Sequence, residues 1–289
     1  MSVLYVVATP IGNLSDMCER ALEVLRNVKY ILAEDTRHTS ILLRHFKITS
    51  PMISMHKFNE FSKSEIILEK ILKEDCDAAL VSDAGTPCIS DPGSLLVRTA
   101  HQKGIKVTGI PGACAITAAL SISGFDAGKF SFTGFFPRTK KEKEETINLM
   151  LNSIIDIFVI YESPMRLIDT LTYLLEYFPN GECVICNDLT KLYEKTLKGF
   201  LRYILPVLAS DPNVNKGEYV IVFKKNMSCE KKQDDDLSLE AKIMDYISKN
   251  NVSLKTAVKK LAEEGADSKK SLYSASLRIK SLINNIPDD

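Results

Sequence analysis

Residues 78–93 read AALVSDAGTPCISDPG. A short apolar run, AALVSD (78–83), has the length of a buried strand. It feeds SDAGTPCISDPG (82–93), which packs two glycines, two prolines and two aspartates into twelve residues. So much Gly and Pro fixes a rigid turn with bare backbone N–H groups. Such a loop suits a small polar ligand, and Asp83 and Asp91 can accept hydrogen bonds from hydroxyl or ammonium groups.

The same alternation extends on both sides. Strand-like runs occur at LYVVA (4–8), YILAE (30–34), PMISMH (51–56) and KVTGIP (106–111). Residues 16–27 and 60–73 carry apolar side chains at helical spacing, among them Ala21, Leu22 and Leu25, and Ile67 and Ile71. Short connections between alternating β and α patterns predict parallel strands in an open α/β sheet. A second series follows the helix-like run 113–122, which Gly124 ends. Its strands are FSFTGFF (130–136), IFVIYES (157–163), ECVICND (182–188) and EYVIVFKK (218–225), with helices at 165–177 and 200–209. The fold class is α/β, with two consecutive α/β domains, 1–113 and 114–227. SCEKKQDDD (228–236) reads as a linker. A helical module spans 237–289, with helices at 239–249, 253–263 and 268–283, Ser253 as an N-cap and Gly265 in the last turn. It resembles a helix-turn-helix; the plain alternative is a three-helix packing unit.

The chain has 289 residues, 45% of them hydrophobic, and balances 37 basic against 37 acidic side chains. The length suggests about two domains, and the composition argues against disorder. Zero net charge excludes an indiscriminate nucleic-acid coat and leaves room for a local basic patch. Residues 237–287 hold nine basic and five acidic side chains, an excess of +4. No apolar stretch approaches the roughly 18 residues of a membrane span. MSVLYVVATPIG reads as a first strand rather than a signal peptide. Seven cysteines are expected to be free thiols in a reducing cytoplasm. Cys183 and Cys186, three apart on one strand, point to opposite faces, so core packing is expected there and no metal site.

Four segments lie at carboxyl ends of predicted strands, where open α/β sheets bind ligands. They are ATPIGN (8–13), AEDTRHTS (33–40), SDAGTPCISDPG (82–93) and IPGACAITAAL (110–120). GxGxxG, GxxxxGK[ST] and GxSxG are all absent, which removes the usual dinucleotide, P-loop and nucleophile-elbow signatures. In AEDTRHTS, Glu34, Asp35, Arg37 and His38 crowd one strand end, and substrate contact is the better explanation of that cluster.

These segments occur in order with MHKFNE (55–60), FTGFFP (132–137), YESPMR (161–166), Leu189-Thr190-Lys191 and KGEYVIV (216–222). Together, over residues 3–223, they resemble the ribosomal RNA small subunit methyltransferase I family of the tetrapyrrole methylase-like superfamily. One departure is that Asn187-Asp188 stands where that family usually has Arg-Glu, so a carboxylate is kept and an arginine is lost. The resemblance implies S-adenosylmethionine bound in the cleft between two α/β domains, without a metal. It implies a homodimer in the cytoplasm, acting on a cytidine 2′-hydroxyl in the decoding region of 16S ribosomal RNA in the small subunit. It implies donor contacts from Pro10, Asp83, Ala84, Gly85, Thr86, Ile89, Cys114, Ala115, Tyr161, Glu162 and Leu189. Candidate bases are Glu34, Asp35, Glu60 and Asp188, with the AEDTR segment favoured. Candidate RNA contacts are Arg37, Arg44, His56, Lys57, Arg138, Lys140, Lys141, Lys143 and Arg166, with Phe135 and Phe136 as stacking or core residues. The rivals are a tetrapyrrole or other small-molecule methylase, and a non-catalytic RNA-binding assembly factor.

Overall fold

The structure is a computed structural model that describes residues 2–56, 59–226, 238–250, 252–263 and 267–284. Residues up to 226 form one compact unit and the remainder a second. The segment read as a linker, 228–236, lies outside the described residues, as do Lys57, Cys229 and Gly265.

The first half runs β1 (Val3–Val7), α1 (Glu19–Asn27), β2 (Tyr30–Ala33), α2 (Thr36–His45), β3 (Met52–Ser54), α3 (Glu60–Lys73), β4 (Ala78–Val81), α4 (Ser94–Gln102) and β5 (Lys106–Ile110). Its strands form one sheet in the order β3-β2-β4-β1-β5, and every pairing is parallel. Helices cover both faces, so β4 is buried at all four residues and reads as an uninterrupted apolar run. Successive side chains alternate between the two cores: Leu4 and Leu32 pack with Leu68 and Leu96, whereas Val7 and Ile31 pack with Ala21 and Leu25.

The second half runs α5 (Ala115–Ser123), β6 (Ser131–Phe135), α6 (Lys140–Asn152), β7 (Ile157–Glu162), α7 (Leu167–Tyr177), β8 (Glu182–Asn187), β9 (Lys195–Phe200), α8 (Leu201–Ala209) and β10 (Tyr219–Lys224). Its sheet has the order β6-β7-β10-β8-β9, parallel only between β6 and β7. Helix α5 packs on one face with Cys186 and Val220. The opposite face holds Cys183, Leu171 and Phe223. The two cysteines of the CxxC therefore occupy separate cores, as their spacing requires. The buried Lys225 ammonium donates to the carbonyls of Met150 (2.8 Å) and Ser153 (2.5 Å), and so caps the end of α6 with positive charge.

Four elements have no counterpart among the sequence-based ones: α2, α4, α6 and β9. Strand β9 is an edge strand, KTLKGF, whose outward lysines hide its alternation. Helix α4 takes its cap from a distant residue, Glu60, which no local pattern reveals.

The second unit contains α9 (Leu239–Asn250), α10 (Leu254–Glu263) and α11 (Lys269–Asn284) around a core of Ile243, Ala257, Leu261, Leu272, Ala275 and Ile279. The Ser253 hydroxyl accepts from the Thr256 amide at 3.3 Å, the expected N-cap. Among the described residues no helix is long and apolar enough to cross a membrane.

Candidate functional site

Strand order decides where the loops meet. The chain reverses direction across the sheet between β4 and β1, and the crevice beyond their carboxyl ends is the switch point of such folds. Loops 8–13 and 82–93 leave from there as neighbours. Their backbones clasp: Thr9 N–H donates to Gly85 O (2.8 Å) and Gly85 N–H to Thr9 O (3.0 Å). The Thr86 hydroxyl donates to Ala113 O at 3.2 Å, which joins the loop after β5. Gly85 has φ +78°, and a Cβ there would lie 3.3 Å from Ile11, so only glycine sits without strain. Opposite, Gly12 lies so near the 189–191 turn that a Cβ would overlap Lys191. Cys88, Asp188 and Thr190, all in these loops, hold positive φ without being glycine. Such strain persists where surrounding contacts over-determine the backbone, commonly at ligand sites.

A cavity of about 380 Å³ opens between these loops and the ends of β7 and β10. Ala84, Gly85, Thr86, Ile89, Cys114, Ala115, Tyr161, Glu162 and Leu189 all line it. It is also walled by Phe135, Ser163, Pro164 and 217–220, which lie in the motifs FTGFFP, YESPMR and KGEYVIV but are not among the donor contacts that the resemblance implies. Its apolar walls are Ile11, Ile89, Leu189 and Val220; its charged lining residues are Asp91, Glu162 and Glu218, with none basic among the described residues. A phosphate-rich ligand finds no partner there. A partly apolar ligand bearing positive charge does. The Tyr161 ring packs edge-on against Phe132 (4.9 Å) and Phe135 (5.8 Å). Burial pushes its phenol up, so it stays protonated.

Pro10 and Asp83 do not reach this cavity. They line an adjoining pocket of about 270 Å³, together with Gly12, His38, Thr39 and Lys191.

The candidate bases separate by surroundings. Burial, then the charges of Asp91, Asp83 and Asp35, push the Glu34 carboxyl up to about 7. Burial and Asp83 also raise Asp91. Asp35 goes the other way: the Arg37 guanidinium hydrogen-bonds its carboxylate at 2.7 and 3.1 Å and holds it well below the usual range. Asp35 also caps α2 by accepting from the Arg37 amide at 2.8 Å. Glu60 Oε1 accepts from the amides of Gly93, Leu95 and Leu96 at 2.8–3.2 Å, and so caps α4 from outside. Asp188 Oδ1 holds the Lys191 ammonium at 2.9 Å, which keeps the carboxylate of the motif in use where Asn187 has replaced the arginine.

Of the candidate RNA contacts, Arg37, Arg44, Arg138, Lys140 and Lys141 have exposed side chains. Lys143 lies over the Tyr173 ring, 5.2 Å from its centre. Arg166 is turned inward: it pairs with Glu162 at 2.5 Å and donates to Phe136 O at 3.0 Å. His56 Nε2 lies 3.0 Å from the Asn59 amide nitrogen, at the start of α3. Phe136 is core, whereas Phe135 is 58% exposed at the cavity wall. Among the described residues no group of three His, Cys, Asp or Glu side chains is arranged to hold a metal ion.

Comparison with known proteins agrees with this architecture. The family model described as Tetrapyrrole (Corrin/Porphyrin) Methylases matches residues 3–204. The fold is shared with a uroporphyrin-III-C-methyltransferase from Thermus thermophilus (TM-score 0.54, 18% identity, 76% of this chain and 93% of that one). It is shared with a diphthine synthase as well (TM-score 0.57, 15% identity, 78% and 90%). The Ribosomal RNA small subunit methyltransferase I of Xylella fastidiosa is 39% identical over 93% of this chain and 97% of its own. That of Escherichia coli O157:H7 is 38% identical over 95% and 94%. The chain belongs to the ribosomal RNA small subunit methyltransferase I family, within the tetrapyrrole methylases.

Proposed function

We propose that this protein is an S-adenosylmethionine-dependent methyltransferase that methylates the 2′-hydroxyl of a cytidine in the decoding region of 16S ribosomal RNA, in the cytoplasm. The observation that carries the reading is similarity of 38–39% over nearly the whole length of both chains, the helical unit included. The structures of tetrapyrrole and diphthine type share the fold over only 76–78% of this chain. That difference favours the RNA reading over the small-molecule one.

The cavity fits the donor: apolar walls for an adenosine, the Asp91 carboxyl as an acceptor for the amino group, and a cradle at Gly85 that a side chain would fill. Ala84, Gly85, Thr86, Ile89, Cys114, Ala115, Tyr161 and Leu189 would hold it. When bound, S-adenosylmethionine supplies an electrophilic methyl carbon and departs as a neutral thioether. The loop clasps at Thr9–Gly85 and Thr86–Ala113 keep the walls aligned, and alignment is worth up to about 7–11 kcal/mol. Glu34 lines neither cavity, but its carboxyl belongs to one acidic group with Asp83 of the smaller pocket and Asp91 of the larger; in this reading it takes the proton that the ribose hydroxyl sheds as its oxygen gains the methyl group. A carboxyl raised to about 7 is matched to that task at neutral pH. Asp35 is too weak a base, and Glu60 is engaged as a cap. Exposed Arg37, Arg138 and Lys140 supply phosphate contacts.

The reading includes a homodimer. Phe61 and Ile66 on α3, and Leu192 and Tyr193 before β9, expose large apolar surface of the kind that interfaces cover. Light scattering of the purified chain tests this part.

The test of the activity is labelled donor with small ribosomal subunits from cells lacking the protein. Nuclease digestion should yield labelled 2′-O-methylcytidine. Labelling of a precorrin-type acceptor alone, or no transfer despite donor binding, overturns the proposal. Gly85→Trp should abolish donor binding by calorimetry in a folded protein.

A further inference from the structure

We propose that the 270 Å³ pocket beside the donor cavity receives the base of the acceptor nucleotide, and that Asp83 and Lys191 read it as cytosine. The inference rests on the RNA-methyltransferase reading above and adds where the base sits and what selects it.

The pocket shares Ile11, Ala84 and Glu218 with the donor cavity, so its occupant is the immediate neighbour of the donor. Its volume lies just below the usual span for drug-sized ligands, roughly 300–1,000 Å³. One base fits such a space and a tetrapyrrole macrocycle does not. Leu14 and Ile41 leave 38% and 64% of their surface in solvent at its wall. Enzymes that act on extruded nucleotides hold the base between apolar or aromatic side chains in this way.

The polar groups point to a ligand independently. Thr39 lines the pocket and is 3% exposed, yet its hydroxyl has no hydrogen-bond partner among the described residues. A buried hydroxyl without a partner is costly, and a bound base removes that cost by pairing with it. Asp83 accepts from the Asp35 amide through one oxygen (3.1 Å), which leaves acceptor capacity on the carboxylate. The Lys191 ammonium is fixed by Asp188 and Glu218 at 2.9 Å each, with a third N–H to offer. A carboxylate acceptor and an ammonium donor lining one pocket match the exocyclic amine and the carbonyl of cytosine. Uracil places a carbonyl against the carboxylate and is repelled.

Three variants of the full chain test this. Calorimetry gives S-adenosylmethionine affinity. Transfer is measured on unmodified small subunits that carry either the target cytidine or a uridine in its place. Ile41→Glu should lower kcat/KM for subunits at least tenfold while donor affinity stays within twofold. Thr39→Val should lower it several-fold with donor affinity again unchanged. Asp83→Asn keeps an oxygen for the Asp35 amide and turns an N–H₂ toward the base, so the cytidine-over-uridine preference should fall at least tenfold. Equal weakening of donor and subunits by Ile41→Glu would assign the pocket to the donor instead. An unchanged base preference in Asp83→Asn also overturns the proposal. If the unmutated chain labels no cytidine in 16S RNA, the function above fails and takes this proposal with it. Labelling by the unmutated chain with indifferent variants sinks the pocket alone.

Discussion

The two sheets place carboxylates at neighbouring edges and treat them in opposite ways. Beyond β2 and β4, burial raises the Glu34 and Asp91 carboxyls, and repulsion among Glu34, Asp83 and Asp91 adds to the effect. Beyond β7 and β8, each carboxylate has its own cation: Glu162 holds Arg166, and Asp188 holds Lys191. Like charges brought together favour the protonated form and so make a group that takes and holds protons near neutrality. Matched charges spend their electrostatics on geometry. On the proposed mechanism the first edge serves chemistry and the second shape, and Asp35 with Arg37 shows that even the first edge contains a matched pair where a helix must start.

The sharpest way to break this division is Glu34→Gln. If Glu34 takes the acceptor proton, kcat falls about 10²–10⁴-fold with little change in donor affinity. The unmutated enzyme should show kcat rising with pH through about 7, and the variant should lose that limb. A flat profile in the unmutated enzyme would move the base elsewhere.

The second edge is tested by Glu162→Gln. Its carboxylate also accepts from Ser163 N–H (2.7 Å) and the Thr170 hydroxyl (2.6 Å), contacts an amide oxygen retains in part. What is lost is the partner of Arg166, whose side chain is 24% exposed. Breaking a buried pair typically costs 3–5 kcal/mol, and this one sits at the lower end, about 3 kcal/mol by urea unfolding. Loss of activity without loss of stability would mean that Glu162 does chemistry after all.

The elements that carry this contrast were legible in the sequence, for definite reasons. The ten-strand pattern was visible except at β9, since buried parallel strands are continuous apolar runs and antiparallel core strands keep their β-branched residues. Clustering of Gly and Pro, or of ionisable groups, singled out 8–13, 33–40 and 82–93, and residues of all three line the two cavities. Roles within the loops were not legible. Nothing local distinguishes Glu34 from Asp35; the first is set by burial and then by Asp91 and Asp83, about fifty residues away in sequence, and the second by Arg37 two residues on. Arg166 read as a phosphate contact because its burial against Glu162 is a tertiary fact. Asp83 read as a donor contact because adjacency in sequence hides that Ala84 lines both pockets and Asp83 only the smaller one.

Stability gives a smaller effect with a definite sign. Glu34 has a folded pKa near 7 against an ordinary 4.5. Between those values the folded protein holds a proton that the unfolded chain has released, so this group's contribution to stability falls as pH rises across that window. Glu34→Gln removes the penalty. The variant should be more stable than the parent at pH 8 by about 1–2 kcal/mol, allowing for screening of a partly exposed group. The two should converge near pH 4.5. A stabilised variant that is nearly inactive is the pattern expected of a strained functional group.

The smallest effect belongs to the other edge. Asp188 has φ +52°, a conformation that asparagine tolerates, so Asp188→Asn removes the charge without new backbone strain. Lys191 keeps Glu218 at 2.9 Å, and the lost pair is partly solvated. Such pairs contribute about 0.2–1 kcal/mol, so the melting temperature should shift by no more than a few degrees. Activity is the more telling measurement. If Asp188 serves only to hold Lys191 in place, kcat stays within severalfold and its pH limb stays near 7, because Glu34 and its acidic neighbours are untouched. A displaced limb would mean that the two edges are coupled electrostatically, and the separation of chemistry from shape would then have to be drawn within the first edge alone.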